Sequence, residues 1–174
     1  MGKSSKEGKD VVLSWVQDLD LGKVLDIGAG SGTYRKLFIK NKVPTTAHWT
    51  AIEAWEQYVK DFNLADLYNT VINKDVRQVD FDSIGPVDLT FMGDVLEHVT
   101  KQEAIDIVQQ VMSISKYAVI SIPIVHWPQD DIHGNPFEVH IKDDWSDQEV
   151  KETFSQYIKK SWAGEKIGVY WLEQ

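Results

Sequence analysis

The sequence contains no cysteine among its 174 residues. A chain without cysteine has no disulfide framework, no thiolate metal site and no thiol nucleophile. Basic residues are also scarce, because 18 lysines and arginines stand against 27 acidic residues, and the formal net charge is -9. Proteins that bind a nucleic-acid backbone draw most of their affinity from clustered Lys and Arg, so the composition disfavours a nucleic-acid partner.

Long apolar runs are absent as well. No run approaches the ~18 residues expected of a membrane span, and the lysine-rich segment from Met1 to Asp10 lacks the apolar core of a secretory signal. We therefore expect a cytoplasmic protein that does not associate with membranes. The length and the 43% hydrophobic content suit a single domain over residues 1–174, in which residues 1–9 are predicted to be disordered.

Predicted helices and strands alternate along the chain. The first helix is predicted to begin near Asp10, and capping-box patterns at Thr100 and Ser146 indicate the starts of two later helices. A closing antiparallel hairpin is predicted over residues 159–174, after five strands at Lys23–Ile27, Trp49–Glu53, Thr70–Ile72, Val87–Met92 and Tyr117–Ile122. This order predicts a doubly wound α/β sheet that binds its ligand at the carboxyl ends of the strands.

A glycine-rich segment directly follows the first predicted strand. Gly28, Gly30 and Gly32 are spaced two apart, which lets the backbone turn sharply and approach a ligand closely, while N–H groups at the start of the next helix point toward it. A dinucleotide-binding fingerprint would instead have its third glycine where Thr33 stands. The segment therefore predicts a nucleotide-sized ligand and disfavours a nicotinamide-dependent oxidoreductase.

An acidic residue ends the second predicted strand. Glu53 comes 25 residues after Gly28, and a carboxylate at that point of a nucleotide-binding sheet accepts two hydrogen bonds from a ribose diol. In the alternative interpretation, Glu53 is a solvated carboxylate that favours the dipole of the following helix. The glycine segment at this separation favours ribose binding.

Four separated motifs resemble those of class I S-adenosylmethionine (SAM) dependent methyltransferases of the small single-domain kind. They are, in order, Asp26 with the three glycines, then Glu53, then Asp75, and then the segment Gly93-Asp94-Val95-Leu96-Glu97-His98. The resemblance implies a Rossmann-like, mostly parallel seven-stranded sheet with an antiparallel last strand, and SAM bound over the ends of the first, second and fourth strands. The cofactor-binding residues that it implies are Asp26, Gly28, Ala29, Gly30, Gly32, Glu53, Ala54, Trp55, Asp75, Val76, Gly93 and Asp94.

The resemblance also implies roles within these motifs. Asp75 is expected to accept a hydrogen bond from the adenine amino group while the N–H of Val76 reaches the ring; in the alternative interpretation Asp75 is an ordinary polar loop residue. Asp94 and His98 are expected beside the methyl-transfer site. The Asn/Asp-Pro-Pro-aromatic tetrad of DNA- and glutamine-type methyltransferases does not follow the fourth strand, and Asn135-Pro136-Phe137 follows the fifth strand instead.

A long loop, residues 123–145, follows the fifth predicted strand and is predicted to face the substrate. His133 and His140 could deprotonate an accepting hydroxyl or amine, because histidine titrates near neutral pH. Together with His126 and Glu138 they also supply donors suited to a metal, although we assign no metal. In the alternative interpretation these polar side chains hold the loop in place, and its aromatic residues bury its underside.

The sequence thus favours a methyltransferase that moves a methyl group from SAM to oxygen or nitrogen of a small-molecule acceptor, with S-adenosylhomocysteine (SAH) as the product. The proposed catalytic residues are Asp94, His98, His133 and His140, with His126 as a further candidate. The alternative is a protein of the same fold that binds SAM or SAH without turnover, as a regulatory or partner-binding module. We expect a monomer or a homodimer.

Overall fold

The computed structural model describes residues 6–43 and 46–174. Seven strands form one sheet in the order β3-β2-β1-β4-β5-β7-β6. The strands are β1 Lys23–Ile27, β2 His48–Glu53, β3 Thr70–Asn73, β4 Val87–Gly93, β5 Ser115–Pro123, β6 Ile158–Ala163 and β7 Ile167–Glu173. Strands β1 to β5 pair in parallel, and β7 is antiparallel to both of its neighbours. The predicted doubly wound sheet with an antiparallel last strand is confirmed.

Seven helices connect the strands within the described residues. They are α1 Lys9–Val16, α2 Thr33–Lys40, α3 Glu56–Asp61, α4 Leu64–Leu67, α5 Phe81–Ile84, α6 Lys101–Ile114 and α7 Asp147–Thr153. The capping box predicted at Thr100 is present, because the Thr100 side chain accepts from the N–H of Glu103 while the Glu103 carboxylate accepts from the N–H of Thr100. The helical spacing of Val150, Phe154, Tyr157 and Ile158 predicts that α7 continues to Ile158, but the helix ends at Thr153 and Ile158 already belongs to β6.

The sheet is buried on both faces by two hydrophobic clusters. Successive residues of a strand alternate between the clusters: Leu25 and Ile27 of β1 pack into one, and Val24 packs into the other. This alternation places the clusters on opposite faces of the sheet. It also explains why the central strands read as continuous apolar runs in the sequence.

Glu7 and Gly8 of the N-terminal segment contact the closing hairpin. The Glu7 carboxylate accepts the N–H of Glu165, and Gly8 adopts a positive φ where an added Cβ would lie 2.9 Å from Val169. Lys9, the first residue of α1, is only 7% exposed. These contacts attach residues 7–9 to the rest of the fold; residues 1–5 of the predicted disordered segment lie outside the described residues. Among the described helices, none is both long and apolar enough to cross a membrane.

Candidate functional site

The carboxyl ends of β1, β2, β4 and β5 meet at one edge of the sheet, where two cavities lie side by side. Both cavities are bordered by Gly28, Asp94, His98 and Glu138. We name the first the Tyr34 cavity; its other lining residues include Thr33, Tyr34, Gly93, Glu97, Pro123, Trp127, Gln129 and His140. We name the second the Glu53 cavity; its other lining residues include Ile52, Glu53, Ala54, Tyr58, Asp75, Val76, Arg77, Val95, Val99, Asn135 and Phe137.

The glycine segment between β1 and α2 is tied to β2. The N–H groups of Gly28 and Ala29 donate to the carbonyl of Ile52, and the N–H of Gly30 donates to Glu53 Oε2 at 2.8 Å. At Gly32, where φ is +77°, an added Cβ would lie 2.2 Å from the end of the Leu67 side chain, so the backbone conformation favours glycine here and Leu67 would have to move for any other residue. At Gly30 the nearest atom to such a Cβ is 3.8 Å away, although φ is +50°. Gly30 therefore faces open space.

Glu53 is the best-defined acceptor of the Glu53 cavity. Its carboxylate accepts from the N–H of Gly30 and, at 3.0 Å, from the N–H of Trp55, and the residue is 6% exposed. Burial raises the pKa of this carboxyl, and the two backbone N–H groups partly oppose that shift. Each carboxylate oxygen can accept a second hydrogen bond. Glu53 is therefore a fixed, buried acceptor, which differs from the alternative interpretation of a solvated carboxylate.

Asp75 and Val76 line the same cavity, as the sequence predicts for an adenine contact. The Asp75 carboxylate is also bound by Arg77, through its backbone N–H at 2.9 Å and its guanidinium Nε at 3.0 Å. Burial raises the pKa of Asp75, but the hydrogen bonds and charge of Arg77 outweigh it and hold the pKa below its ordinary value. The carboxylate therefore stays ionised and oriented by Arg77, a residue that the sequence analysis did not single out.

Several predicted cofactor residues do not line either cavity. They are Asp26, Ala29, Gly30, Gly32 and Trp55. Asp26 is buried within β1, where its carboxylate accepts the Tyr68 hydroxyl at 2.5 Å. Burial raises the pKa of Asp26 to about 7. Trp55 precedes α3, with its ring 4.9 Å from that of Tyr58. Asp26 is thus a buried residue of β1, whereas Gly30 adjoins the Glu53 cavity through its hydrogen bond to Glu53.

Two carboxylates, one on a half-buried residue and one on a buried residue, lie in the Tyr34 cavity. Asp94 has a φ of +55°, and its N–H donates to the carbonyl of Ser121 at the end of β5. Glu97 is 2% exposed. Within the part of the chain that the structure describes, Asp94 Oδ2 and Glu97 Oε2 are buried and have no hydrogen-bond partner. Burial, together with the charge of Asp94, raises the pKa of Glu97 well above its ordinary value.

Two histidines lie beside these carboxylates. His98 Nδ1 is 3.1 Å from the carbonyl of Val139, and His140 Nδ1 is 2.5 Å from the carbonyl of Trp127. A carbonyl oxygen only accepts, so both Nδ1 atoms carry a proton, and in the neutral form of either ring the lone pair lies on Nε2. The two rings lie 4.9 Å apart. Burial lowers the pKa of His98, which favours the neutral form.

A buried lysine, which the sequence analysis did not find, lies against this cavity. Lys9 Nζ donates to the Tyr34 hydroxyl at 3.0 Å and lies 3.4 Å from Ser121 Oγ. Burial alone would lower the pKa of Lys9, but the neighbouring Tyr34 oxygen and Asp94 carboxylate raise it above its ordinary value. The lysine-rich N-terminal segment predicts that Lys9 is exposed to solvent. Only the packing of α1 against the sheet shows that this lysine is buried beside Tyr34.

The remaining loop histidines do not reach the cavities. His133 is exposed in a turn with a φ of +55° and lines neither cavity. His126 is exposed too, and its Nε2 lies 3.3 Å from Asp143. The suggested metal-ligand set of His126, His133, Glu138 and His140 is therefore not brought together. Among the described residues, the group that is brought together is Glu97, His98 and His140, whose ligand atoms lie within 4.8 Å of one another.

The loop 123–145 covers both cavities. The N–H groups of Ile141 and Lys142 donate to the carbonyl of Glu97. Glu138 Oε1 accepts the Tyr58 hydroxyl at 2.8 Å, and the Trp145 side chain is buried in the core. The loop is thus held by its polar and aromatic residues, as the alternative interpretation expects. The same contacts also place its His140 and Glu138 in cavity walls.

The fold matches that of known SAM-dependent methyltransferases. The N-terminal domain of EvdMO1 with SAH bound superposes with a TM-score of 0.69 at 12% identity, covering 98% of this chain and 82% of that one. Magnesium protoporphyrin IX methyltransferase ChlM from Synechocystis PCC 6803 with bound SAM gives a TM-score of 0.67 at 15% identity, with 97% and 78% covered. The small RNA methyltransferase HEN1 gives 0.67 at 14%, with 100% and 26% covered. No protein-family model and no curated protein matches the sequence.

Proposed function

We propose that this protein is a SAM-dependent methyltransferase that transfers a methyl group to oxygen or nitrogen of a small-molecule acceptor. One observation carries the proposal: a cavity with a fixed carboxylate, Glu53, adjoins a second cavity that contains Asp94, Glu97, His98 and His140. The Glu53 cavity suits the nucleoside of SAM, and the Tyr34 cavity suits the methyl group and the acceptor. The structural neighbours with bound SAM and SAH support the same assignment.

The adenosine part of SAM is assigned to the Glu53 cavity. Glu53 is a buried, backbone-fixed acceptor suited to the two ribose hydroxyls, because a charged acceptor forms stronger hydrogen bonds than a neutral one. Asp75 and Val76 lie in the same wall, where a carboxylate oxygen and a backbone N–H suit the adenine edge. The apolar side chains of Ile52 and Val99 offer surfaces for the base.

The methyl group and the acceptor are assigned to the Tyr34 cavity. In the transfer the acceptor lone pair forms a bond to the methyl carbon while the carbon–sulfur bond breaks, and the electron pair of that bond stays on sulfur to give neutral SAH. The acceptor also loses a proton. The Nε2 lone pairs of His98 and His140 are suited to take it, and the Asp94 carboxylate favours the positive charge that develops on the acceptor as the new bond forms.

The acceptor is proposed to be a small molecule because the Tyr34 cavity lies beneath a long loop and the chain is acidic. HEN1 acts on RNA, but a net charge of -9 is unfavourable for a polyanionic acceptor. Proximity and exclusion of water account for most of the rate enhancement of such an enzyme, since the sulfonium is already a good leaving group.

Calorimetric titration tests the cofactor assignment. SAM and SAH are expected to bind with a stoichiometry of one, and NAD is expected not to bind. Binding of NAD in place of SAM would contradict the proposal.

Turnover is tested by SAH formation with a panel of phenols, hydroxy acids and amines. We expect SAH to form with at least one member of the panel and not without an acceptor. Tight SAM binding with no turnover on any member would favour the alternative of a SAM-binding module.

A further inference from the structure

We propose that Glu97, His98 and His140 bind one divalent transition-metal cation at the wall of the Tyr34 cavity. The proposal rests on the geometry of this cluster, so binding of the cation does not depend on the proposed function. A role of the cation in methyl transfer depends on the proposed function. One ligand atom from each residue lies within 4.8 Å of the other two.

Both histidines are arranged as metal ligands usually are. A ligating histidine almost always donates its second ring N–H to a carbonyl or carboxylate, which fixes the ring and leaves the other nitrogen for the metal. His98 does this with Val139 and His140 with Trp127. Across residues 6–43 and 46–174, neither Nε2 forms a hydrogen bond with another residue.

Glu97 supplies the third donor. The residue is only 2% exposed, and its Oε2 has no hydrogen-bond partner in the described part of the chain. A buried carboxylate oxygen without a partner is unfavourable by a few kcal/mol as a general rule. Asp94 Oδ2, in the same cavity, is also buried and unpartnered. A cation bound by Glu97 would give its Oε2 a partner and lower the electrostatic repulsion between the carboxylates of Glu97 and Asp94.

The donor set indicates the class of cation. Two imidazoles and one carboxylate suit Zn²⁺, Mn²⁺, Fe²⁺ or Co²⁺ and do not favour Mg²⁺ or Ca²⁺, which prefer oxygen ligands alone. Bonds of about 2.0–2.2 Å place the donors of one metal about 3–3.5 Å apart. Adjustments of the three side chains would close the cluster from 4.8 Å to that size. Three protein ligands leave coordination positions open toward the cavity.

The open positions face the region assigned to the acceptor. A cation there would bind an acceptor oxygen or nitrogen directly and favour loss of its proton to solvent. The two imidazoles then act as ligands and do not themselves take the proton. The acceptor lone pair still forms the bond to the methyl carbon, and the carbon–sulfur electron pair still stays on sulfur.

The test is a titration of metal-stripped protein with Co²⁺, followed by visible absorption, and with Mn²⁺, followed by calorimetry. Excess Mg²⁺ is present throughout, because it occupies the acidic surface without competing for imidazole. One equivalent of Co²⁺ is expected to bind and to give ligand-field bands. H140Q and E97Q are each expected to weaken binding by about tenfold or more.

His133→Gln is the matched control, because His133 is an exposed histidine of the same loop. It is expected to bind Co²⁺ as the wild type does. Circular dichroism verifies folding of each variant, and E97Q keeps the side-chain shape if H140Q disturbs the loop. Absence of binding to wild-type protein, or equal binding by all variants, overturns the proposal.

SAM binding by the metal-stripped protein separates the two proposals. Protein that binds SAM but no cation contradicts the metal site and leaves the proposed function standing. Protein that binds the cation but no SAM contradicts the proposed function and leaves the metal site standing.

Discussion

At the scale of single residues, Glu53 carries the cofactor assignment. Its carboxylate accepts from Gly30 and Trp55 and faces the Glu53 cavity. Glu53→Ala removes the charged acceptor, so SAM affinity is expected to fall by about 1–3 kcal/mol, or roughly 5- to 150-fold. Calorimetric titration with SAM measures the change. Glu56→Ala, in an exposed residue nearby, is the control and should bind normally; unchanged affinity in a folded Glu53→Ala would contradict the ribose assignment.

Asp26 gives a prediction about pH. Burial raises its pKa in the folded protein to about 7, above the ordinary value near 3.8. The folded state therefore holds a proton that the unfolded state has lost, so this group's contribution is most favourable below about pH 4 and is lost as pH rises toward 7. The free energy of unfolding is expected to fall by on the order of 3 kcal/mol over this range because of Asp26.

Urea unfolding at several pH values measures that slope. Asp26→Asn is expected to flatten it, because the amide cannot ionise while its oxygen can still accept from Tyr68. Asp82→Asn, in an exposed residue of α5, is the control and should keep the wild-type slope. The same slope in Asp26→Asn and wild type would show that Asp26 does not hold its proton.

At the scale of elements, the glycine segment contains one position that faces open space. Gly30 has a φ of +50° and no atom closer than 3.8 Å to an added Cβ. Gly30→Val is expected to weaken SAM binding by about tenfold or more, because the branched side chain enters that space and strains the backbone by about 1–3 kcal/mol. The matched control is Gly85→Val, at a φ of +73° in open space and outside both cavities.

These two variants separate strain from ligand contact. Both should be destabilised in urea unfolding, and only Gly30→Val should lose SAM affinity in calorimetry. Similar SAM affinity in the two variants would mean that the glycine segment does not approach the cofactor.

The loop 123–145 gives a second prediction at this scale. His140 lines the Tyr34 cavity and His133 does not. His140→Ala is expected to lower single-turnover methyl transfer by more than about tenfold while SAM affinity stays within about threefold, and His133→Ala is expected to change neither. Both quantities are measured on the same preparations. An equal loss of transfer in the two variants would contradict the separation that the structure makes between them.

At the scale of the whole molecule, cofactor binding should stabilise the fold. The two cavities lie between the glycine segment, the β4 end and the loop 123–145, so a ligand in them contacts elements from both halves of the sheet. A ligand at 100 times its Kd contributes about 2.7 kcal/mol, which corresponds to a rise in Tm of about 5–10 °C for a chain of this length. Differential scanning calorimetry with SAM and with NAD tests this prediction. A rise in Tm with NAD and none with SAM would contradict the assignment of SAM as the cofactor.

The sequence by itself determined the sheet and the positions of the main motifs. Apolar runs bounded by turn residues predict strands, and Asp26, Glu53 and Asp94 follow or lie within them, because hydrophobic periodicity and capping are local properties of the chain. The boundaries of β1 and the capping box at Thr100 agree with the structure. The end of α7 does not, because pairing of β6 with β7 takes Ile158 out of the helical pattern.

Only the tertiary structure decided which polar side chains meet. His98 and His140 are separated by more than forty positions in sequence, and their rings are 4.9 Å apart because the loop returns over the end of β4. His133 carries the same imidazole as His140 but faces outward. Lys9 reaches Tyr34 only because α1 packs on the sheet. Residue type and spacing indicate which chemistry a side chain is capable of. Long-range packing decides which other groups it contacts, because burial and contact are properties of the folded chain.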